Sequence, residues 1–424
     1  VKINKYFVAI LLLFAFCLNA EETLPVDRDL KTLVEKLEAG RAVKIACLGD
    51  SITGVYFHTG SRMAWPELLE QGLRYLYPKA KTGVINAGVS GDTSQQALKR
   101  LEKDVLAKKP DFTVIMLGMN DHRIKEQESL DAMEEIIKKN REAGIPVMGV
   151  SQNFTGSANL PAYIDSRKAL FEKMSVPYAD CYLEFKKAAD ARVKGPEEKL
   201  YCQFLNSDGV HPSLDGHRLF VRTIIKRMTG KDIPEAALGG SVPKVPLLIA
   251  KGTGGKIVTV TVLGMDSTLA LKCLKRAYPS ASFSVLPRSV PSLDWFEVLK
   301  EIDTKKDRDL KKARELWGEK GDDLLLVCFP PQAKTQDSGY FSNINSTRRV
   351  IFNFGKKDGA REVVWISDSV LNASAPDRGA LKRDGLMARF AGGMDVGFIG
   401  RKDGDTRPPE ELIAEWFDSQ KLTK

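Results

Sequence analysis

The feature that most constrains this chain is an alternation. Short, nearly continuous apolar runs are separated by longer amphipathic stretches. "VKIACLG" (43–49), "GVIN" (83–86), "FTVIMLG" (112–118), "PVMGV" (146–150) and "VPYAD" (176–180) read as strands. Residues 65–77, 94–108, 130–143 and 162–173 between them read as helices, and a last helix is expected from about Pro212 to Met228. Strands that are apolar throughout must be buried on both faces. With helices in the connections, the pattern predicts a parallel sheet between two helical layers. A sheet of that kind binds its ligands beyond the carboxyl ends of its strands. "GDS" (49–51), "GVSGD" (88–92) and "GMND" (118–121) each fall just past a strand, so three polar motifs are expected on one edge.

The chain has 424 residues, more than one such sheet needs. The segment 229–246 is rich in Gly and Pro with little helical periodicity, and a second αβ pattern begins at "KIVTVTVLG" (256–264). The expected organisation is a signal peptide at 1–20, a first domain at 21–235, a linker at 236–248 and a second, smaller α/β domain at 249–424. Echoes in constant order favour the reading of the second half as a degenerate copy of the first, although αβ folds share strand patterns by necessity. "YPKAKTGVINAGVSG" (77–91) aligns with "YPSASFSVLPRSVPS" (278–292), "CLGDSIT" (47–53) with "VLGMDST" (262–268), and "DFTVIMLGMND" (111–121) with "DDLLLVCFPPQ" (322–332).

The first twenty residues carry Lys2 and Lys5, an apolar run from Phe7 to Leu18, and Ala20 before two glutamates. That run is too short to span a bilayer comfortably, so a cleaved secretory signal is expected, with Val1 as an alternative bacterial start. The reading is a secreted or periplasmic bacterial protein without a stable membrane anchor. The net charge of +9 is spread along the chain rather than blocked, which favours a solvated surface over a nucleic-acid footprint. Beyond the signal lie Cys47, Cys181, Cys202, Cys273 and Cys328, an odd number, so at least one thiol stays unpaired in a monomer. Cys47 and Cys328 read as small core residues. Cys181 and Cys202 could pair, and no cysteine or histidine spacing suggests a metal site.

Ser51 could be a nucleophile or only a polar residue where a strand turns. A serine needs a base, an orienter for that base, and donors for the developing oxyanion. The chain has four histidines, His58, His122, His211 and His217. His211 follows Asp208 by three residues in "SDGVHPS", a spacing that can bring carboxylate and imidazole together on a turn. Asp208 could instead cap the helix that follows. The Ser51 and Gly91 N–H groups and the Asn120 amide would supply the oxyanion donors. Taken singly, Gly91 reads better as a turn glycine and Asn120 as a turn or cap residue, but not when taken together in this order, each after a strand.

The four blocks Gly49-Asp50-Ser51, Gly91, Gly118-Met119-Asn120-Asp121 and Asp208-Gly209-Val210-His211 resemble those of the SGNH, or GDSL, hydrolases over about residues 43–228. The run at 86–101 is similar to the multifunctional thioesterase/lysophospholipase branch, and "GDSITGVYFHTG" (49–60) to secreted esterase-like members. The resemblance implies a flavodoxin-like αβα sandwich, a Ser51–His211–Asp208 triad, an oxyanion hole from Ser51, Gly91 and Asn120, and no metal or cofactor. Asp50, Tyr56, His58 and His122 are candidate substrate contacts, with core packing or a local hydrogen bond as the bland alternatives. His217 is expected to be structural. The second half has no histidine, and Ser292 and Pro331 stand where Gly91 and Asn120 would be, so it is expected to be catalytically inert. The expected activity is ester hydrolysis, with short acyl groups such as acetyl on carbohydrate favoured. The alternatives are a lysophospholipase or thioesterase on longer chains, or a secreted binding protein that uses the fold for recognition.

Overall fold

The computed structural model describes residues 25–54, 63–155, 160–191, 205–206, 210–239, 244–286, 322–328, 362–372, 374–393 and 395–422. It contains two parallel sheets, each with its own helices and core. The first has strands β1 (Ala42–Gly49), β2 (Lys81–Gly88), β3 (Phe112–Met116), β4 (Val147–Val150) and β5 (Tyr178–Ala179). Their order is β2-β1-β3-β4-β5, the flavodoxin-like order, so the expected α/β class holds. The central β3 and β4 are buried at every residue, as the apolar runs require.

Helices cover both faces of this sheet. On one, Trp65–Leu76 and Leu214–Thr229 pack with Pro25–Glu38 over Val43, Ile45, Cys47, Val114 and Met116. On the other, Ser94–Asp104, Glu126–Glu142 and Leu160–Lys173 pack over Ala46, Leu48, Ile115 and Val147. The period of two along β1 thus sends alternate side chains to two different cores.

The second sheet holds β6 (Ile257–Leu263), β7 (Ser282–Val285), β8 (Leu324–Cys328), β9 (Glu362–Ile366) and β10 (Gly397–Ile399), in the order β7-β6-β8-β9-β10. Counted from its own first strand, that order is the same as in the first sheet. Local details recur as well. Asp111 accepts from Lys36 Nζ at 2.9 Å and from the Lys44 N–H at 2.9 Å. Asp323 accepts from Lys251 Nζ at 2.6 Å and from the Thr259 N–H at 2.9 Å. Lys231 lies over the Tyr77 ring at 4.4 Å and Lys421 over the Tyr278 ring at 4.5 Å.

Three expectations change. The linker is shorter than 236–248, because Ile233 and Leu238 are buried in the first core, while Val245 and Leu248 belong to the second. Pro and Gly punctuate this stretch, but its isolated apolar residues still dock. Cys181 is a buried free thiol in the first core rather than one half of a disulfide; Cys202 lies outside the described residues. The last helix begins at Leu214 rather than near Pro212, capped by the Ser213 hydroxyl, which accepts the Gly216 N–H; Asp208 lies outside the described residues. Trp365 is fully buried in the second domain. Ser292 and Pro331 lie outside the described residues.

Candidate active site

Gly49 ends β1, and the chain turns at once into the short helix Ser51–Gly54. Asp50 organises the turn. Its carbonyl accepts the Thr53 and Gly54 N–H groups at 3.1 and 3.0 Å, and its Oδ1 accepts the Ile52 N–H at 2.9 Å. The turn sits tightly on β2. A Cβ on Gly54 would meet the Gly88 carbonyl oxygen at 2.3 Å, and one on Gly88 would meet the Gly54 nitrogen at 2.3 Å. Only glycine at both positions permits that backbone contact.

Ser51 is 7% exposed, and its Oγ lies 2.9 Å from His211 Nε2. Residues 160 apart in sequence therefore meet at the carboxyl edge of the sheet. Asp208, Tyr56 and His58 lie outside the described residues. Asp50 is fully buried, so it is a turn-forming residue rather than a substrate contact. Its Oδ2 has no hydrogen-bond partner. Burial raises its pKa to about 6, against the opposing influence of the Ile52 N–H and of His211.

Gly91 has φ +83°, in the left-handed region, with open space where a Cβ would stand. The Asn120 amide donates to the Asp92 carbonyl at 3.0 Å, and its oxygen accepts from Arg123 at 2.5 Å. One Nδ2 hydrogen is thus committed, and the amide plane is fixed beside the Gly91 loop. His122 is exposed, and its ring Nδ1 lies 3.1 Å from the Met119 carbonyl oxygen, the local bond that was its bland alternative. His217 is buried and neutral. Its Nδ1 accepts the Trp65 N–H at 3.1 Å, and the Trp65 indole donates to Thr53 Oγ1 at 3.1 Å. Burial, assisted by His211, lowers the His217 pKa to about 3.

Several residues that hold these elements have roles that the sequence reading did not assign. Arg100 donates to the Gly49 carbonyl at 2.9 Å, the Ala87 carbonyl at 2.8 Å and Asp92 at 2.6 Å, tying the strand before Ser51 to the Gly91 loop. With Asp104 four residues on, it reads as an ordinary surface helix pair. Asp121, fully buried, accepts from the Ser94 hydroxyl at 2.5 Å, the Ser129 hydroxyl at 2.6 Å and Arg167 at 2.8 Å. Burial alone would raise its pKa, but the two serines and Arg167 outweigh that and hold the carboxyl below its usual range. Gly118 leaves the room Arg167 needs, since a Cβ there would lie 2.6 Å from the guanidinium carbon.

A serine at a strand end, an imidazole on its hydroxyl and a neighbouring loop with a left-handed glycine define an ester-hydrolase centre. Residues 47–219, under half of the chain, match the GDSL-like Lipase/Acylhydrolase family, in keeping with a serine ester hydrolase. The chain is 27% identical over 201 residues to thioesterase 1/protease 1/lysophospholipase L1 of Escherichia coli, covering 45% of this chain and 85% of that protein. It is 26% identical over 223 residues to an acetylxylan esterase of Geobacillus stearothermophilus, covering 45% and 96%. Among solved structures, a two-domain esterase active on acetylated mannans matches with TM-score 0.40 and 23% identity, covering 49% of this chain and 55% of that one.

Proposed function

We propose that the first domain removes short acyl groups, acetyl above all, from carbohydrate through a Ser51–His211–Asp208 triad. The observation that carries the triad is the 2.9 Å contact between His211 Nε2 and Ser51 Oγ. His211 takes the hydroxyl proton as Ser51 attacks the ester carbonyl, then returns it to the leaving alcohol. Asp208, three residues before the base, holds its tautomer and stabilises the imidazolium. The Ile52, Thr53 and Gly54 N–H groups are spent on Asp50, which leaves the Ser51 N–H to join the Gly91 N–H and the Asn120 amide around the oxyanion. Water then hydrolyses the acyl-enzyme.

The acetyl-carbohydrate reading draws on the likeness to the acetylxylan esterase and on the export signal read at residues 1–20, which would place the enzyme where polysaccharides are met. The likeness to the thioesterase/lysophospholipase supports a second reading, hydrolysis of longer acyl chains. The second domain, with the strand order and the Lys–Asp contact of the first, reads as an eroded copy that serves recognition or assembly. The test is turnover of p-nitrophenyl esters of rising chain length, beside acetate release from acetylated xylan, by wild type and Ser51→Ala. Loss in Ser51→Ala with a preference for acetyl is expected. Rates that climb steadily with chain length would move the second reading to the front.

A further inference from the structure

The loop that carries His211 is tied to the end of β4 by a pair of asparagines. After Val150 the chain continues Ser151-Gln152-Asn153-Phe154. Asn153 is completely buried. Its Nδ2 donates to the carbonyl of Val210, the residue before His211, at 2.8 Å, and to Asn206 Oδ1 at 2.6 Å. Asn206, also buried, returns a bond from its Nδ2 to the Phe154 carbonyl at 2.8 Å. The neck of the loop closes just beyond: Asn206 bridges Pro212, and the Ser213 N–H donates to the Leu205 carbonyl at 2.8 Å.

These bonds are not needed to finish β4. Ser151 already donates its N–H to Ala179 and accepts the Tyr182 N–H on its hydroxyl, and Gln152 donates to the Leu117 carbonyl. Both N–H groups of the Asn153 amide go to the His211 loop instead. Its Oδ1 is buried with no partner, a costly state for an amide oxygen. A residue kept under that cost must supply something a smaller or apolar one cannot. Asn is the shortest side chain with two N–H donors, and both are used here.

We infer that Asn153 is a positioning residue for the reaction, fixing the His211 backbone so that Nε2 stays within reach of the Ser51 hydroxyl. This rests on the reading of His211 as the base. Asn206 is the second half of the clamp and sets the Asn153 amide plane. Among the described residues, Asp50 and His217 act electrostatically on the imidazole, and Asp208 lies in the same loop by sequence.

The test compares wild type, Asn153→Asp, Asn206→Ala and Ser51→Ala on p-nitrophenyl acetate, with full pH profiles and thermal melts. Asn153→Asp keeps the shape but has at most one donor, its O–H when protonated, in place of two. It is expected to lower kcat by roughly 10- to 100-fold, the scale of an ångström-sized misplacement, with KM changed by no more than about twofold. The acidic limb of the pH–kcat profile is expected to move in Asn206→Ala too, where no charge is introduced; a purely structural loss would not move it there. Asn206→Ala keeps the Val210 bond and is expected to show a smaller loss of the same kind. Full kcat and an unmoved limb in folded Asn153→Asp overturn the inference; if that variant does not fold, an unchanged Asn206→Ala overturns it. Turnover surviving in Ser51→Ala overturns the reading of the site and this inference with it. Turnover lost in Ser51→Ala but kept in both asparagine variants overturns the inference alone.

Discussion

Replacing His217 with asparagine should change how the protein responds to acid. The folded ring is buried, accepts the Trp65 N–H, and has a pKa near 3, against 6.5 for a free histidine. Between those values the unfolded chain binds a proton that the folded chain refuses, so stability falls as pH drops through this window. At pH 4.5 the loss relative to neutral pH is about 2.7 kcal/mol, two units at 1.36 kcal/mol each. Asp50 acts in the opposite sense. Its folded pKa of about 6 lies above the ordinary 3.8, so it destabilises at neutral pH, and that penalty fades on acidification. Wild type should therefore change little between pH 7 and 4.5 on account of these two groups. The substituted amide would offer an acceptor to Trp65 but would not titrate. The melting temperature of His217→Asn relative to wild type should then rise by roughly 5–10 °C between pH 7 and pH 4.5. Calorimetry at the two pH values measures this directly. An equal difference at both would mean that the folded ring binds a proton as readily as the unfolded one, and the linkage argument would collapse.

Other perturbations probe other parts of the site. Arg167→Ala strands the buried Asp121 carboxylate with its serine bonds alone; it should cost about 3–5 kcal/mol by urea unfolding, and a loss under about 1 kcal/mol would contradict the burial of the pair. Asp50→Asn keeps an acceptor for the Ile52 N–H while removing the buried charge. It should stabilise by up to about 3 kcal/mol at pH 7.5, with the gain gone by pH 4, as melts at both pH values would show. Asn120→Ala should lower kcat by roughly 10²–10³ with the fold intact, and near-normal turnover would remove it from the oxyanion hole. Gly88→Ala forces a methyl into the Gly54 backbone and should abolish acylation by a fluorophosphonate probe, since the nucleophile turn cannot keep its place.

What could be read from the sequence, and what could not, follows from the range of the interactions. β1 and β3 show as apolar runs because both faces of each strand are buried, and that is a local property. Ser51 and His211 could be paired from the sequence because the chemistry of a serine demands a base and few histidines were available. Arg100, Asp121–Arg167 and Asn153 could not be found that way. Asp121 stands in the GMND motif, but its buried bond to Arg167, like the bonds of Arg100 to Gly49 and of Asn153 to Val210, joins positions far apart in sequence that nothing local links. Asp50 misled for the opposite reason: a charged residue beside a nucleophile suggests substrate, yet its carboxyl turns inward to shape the loop. The second domain extends the point. Its Lys251–Asp323–Thr259 contact repeats Lys36–Asp111–Lys44 at the amino ends of the strands, the edge remote from the catalytic loops. If the halves share an origin, the contacts that hold a sheet together survived where selection for folding continued. The second half has no histidine, and so no counterpart of the base proposed for the first.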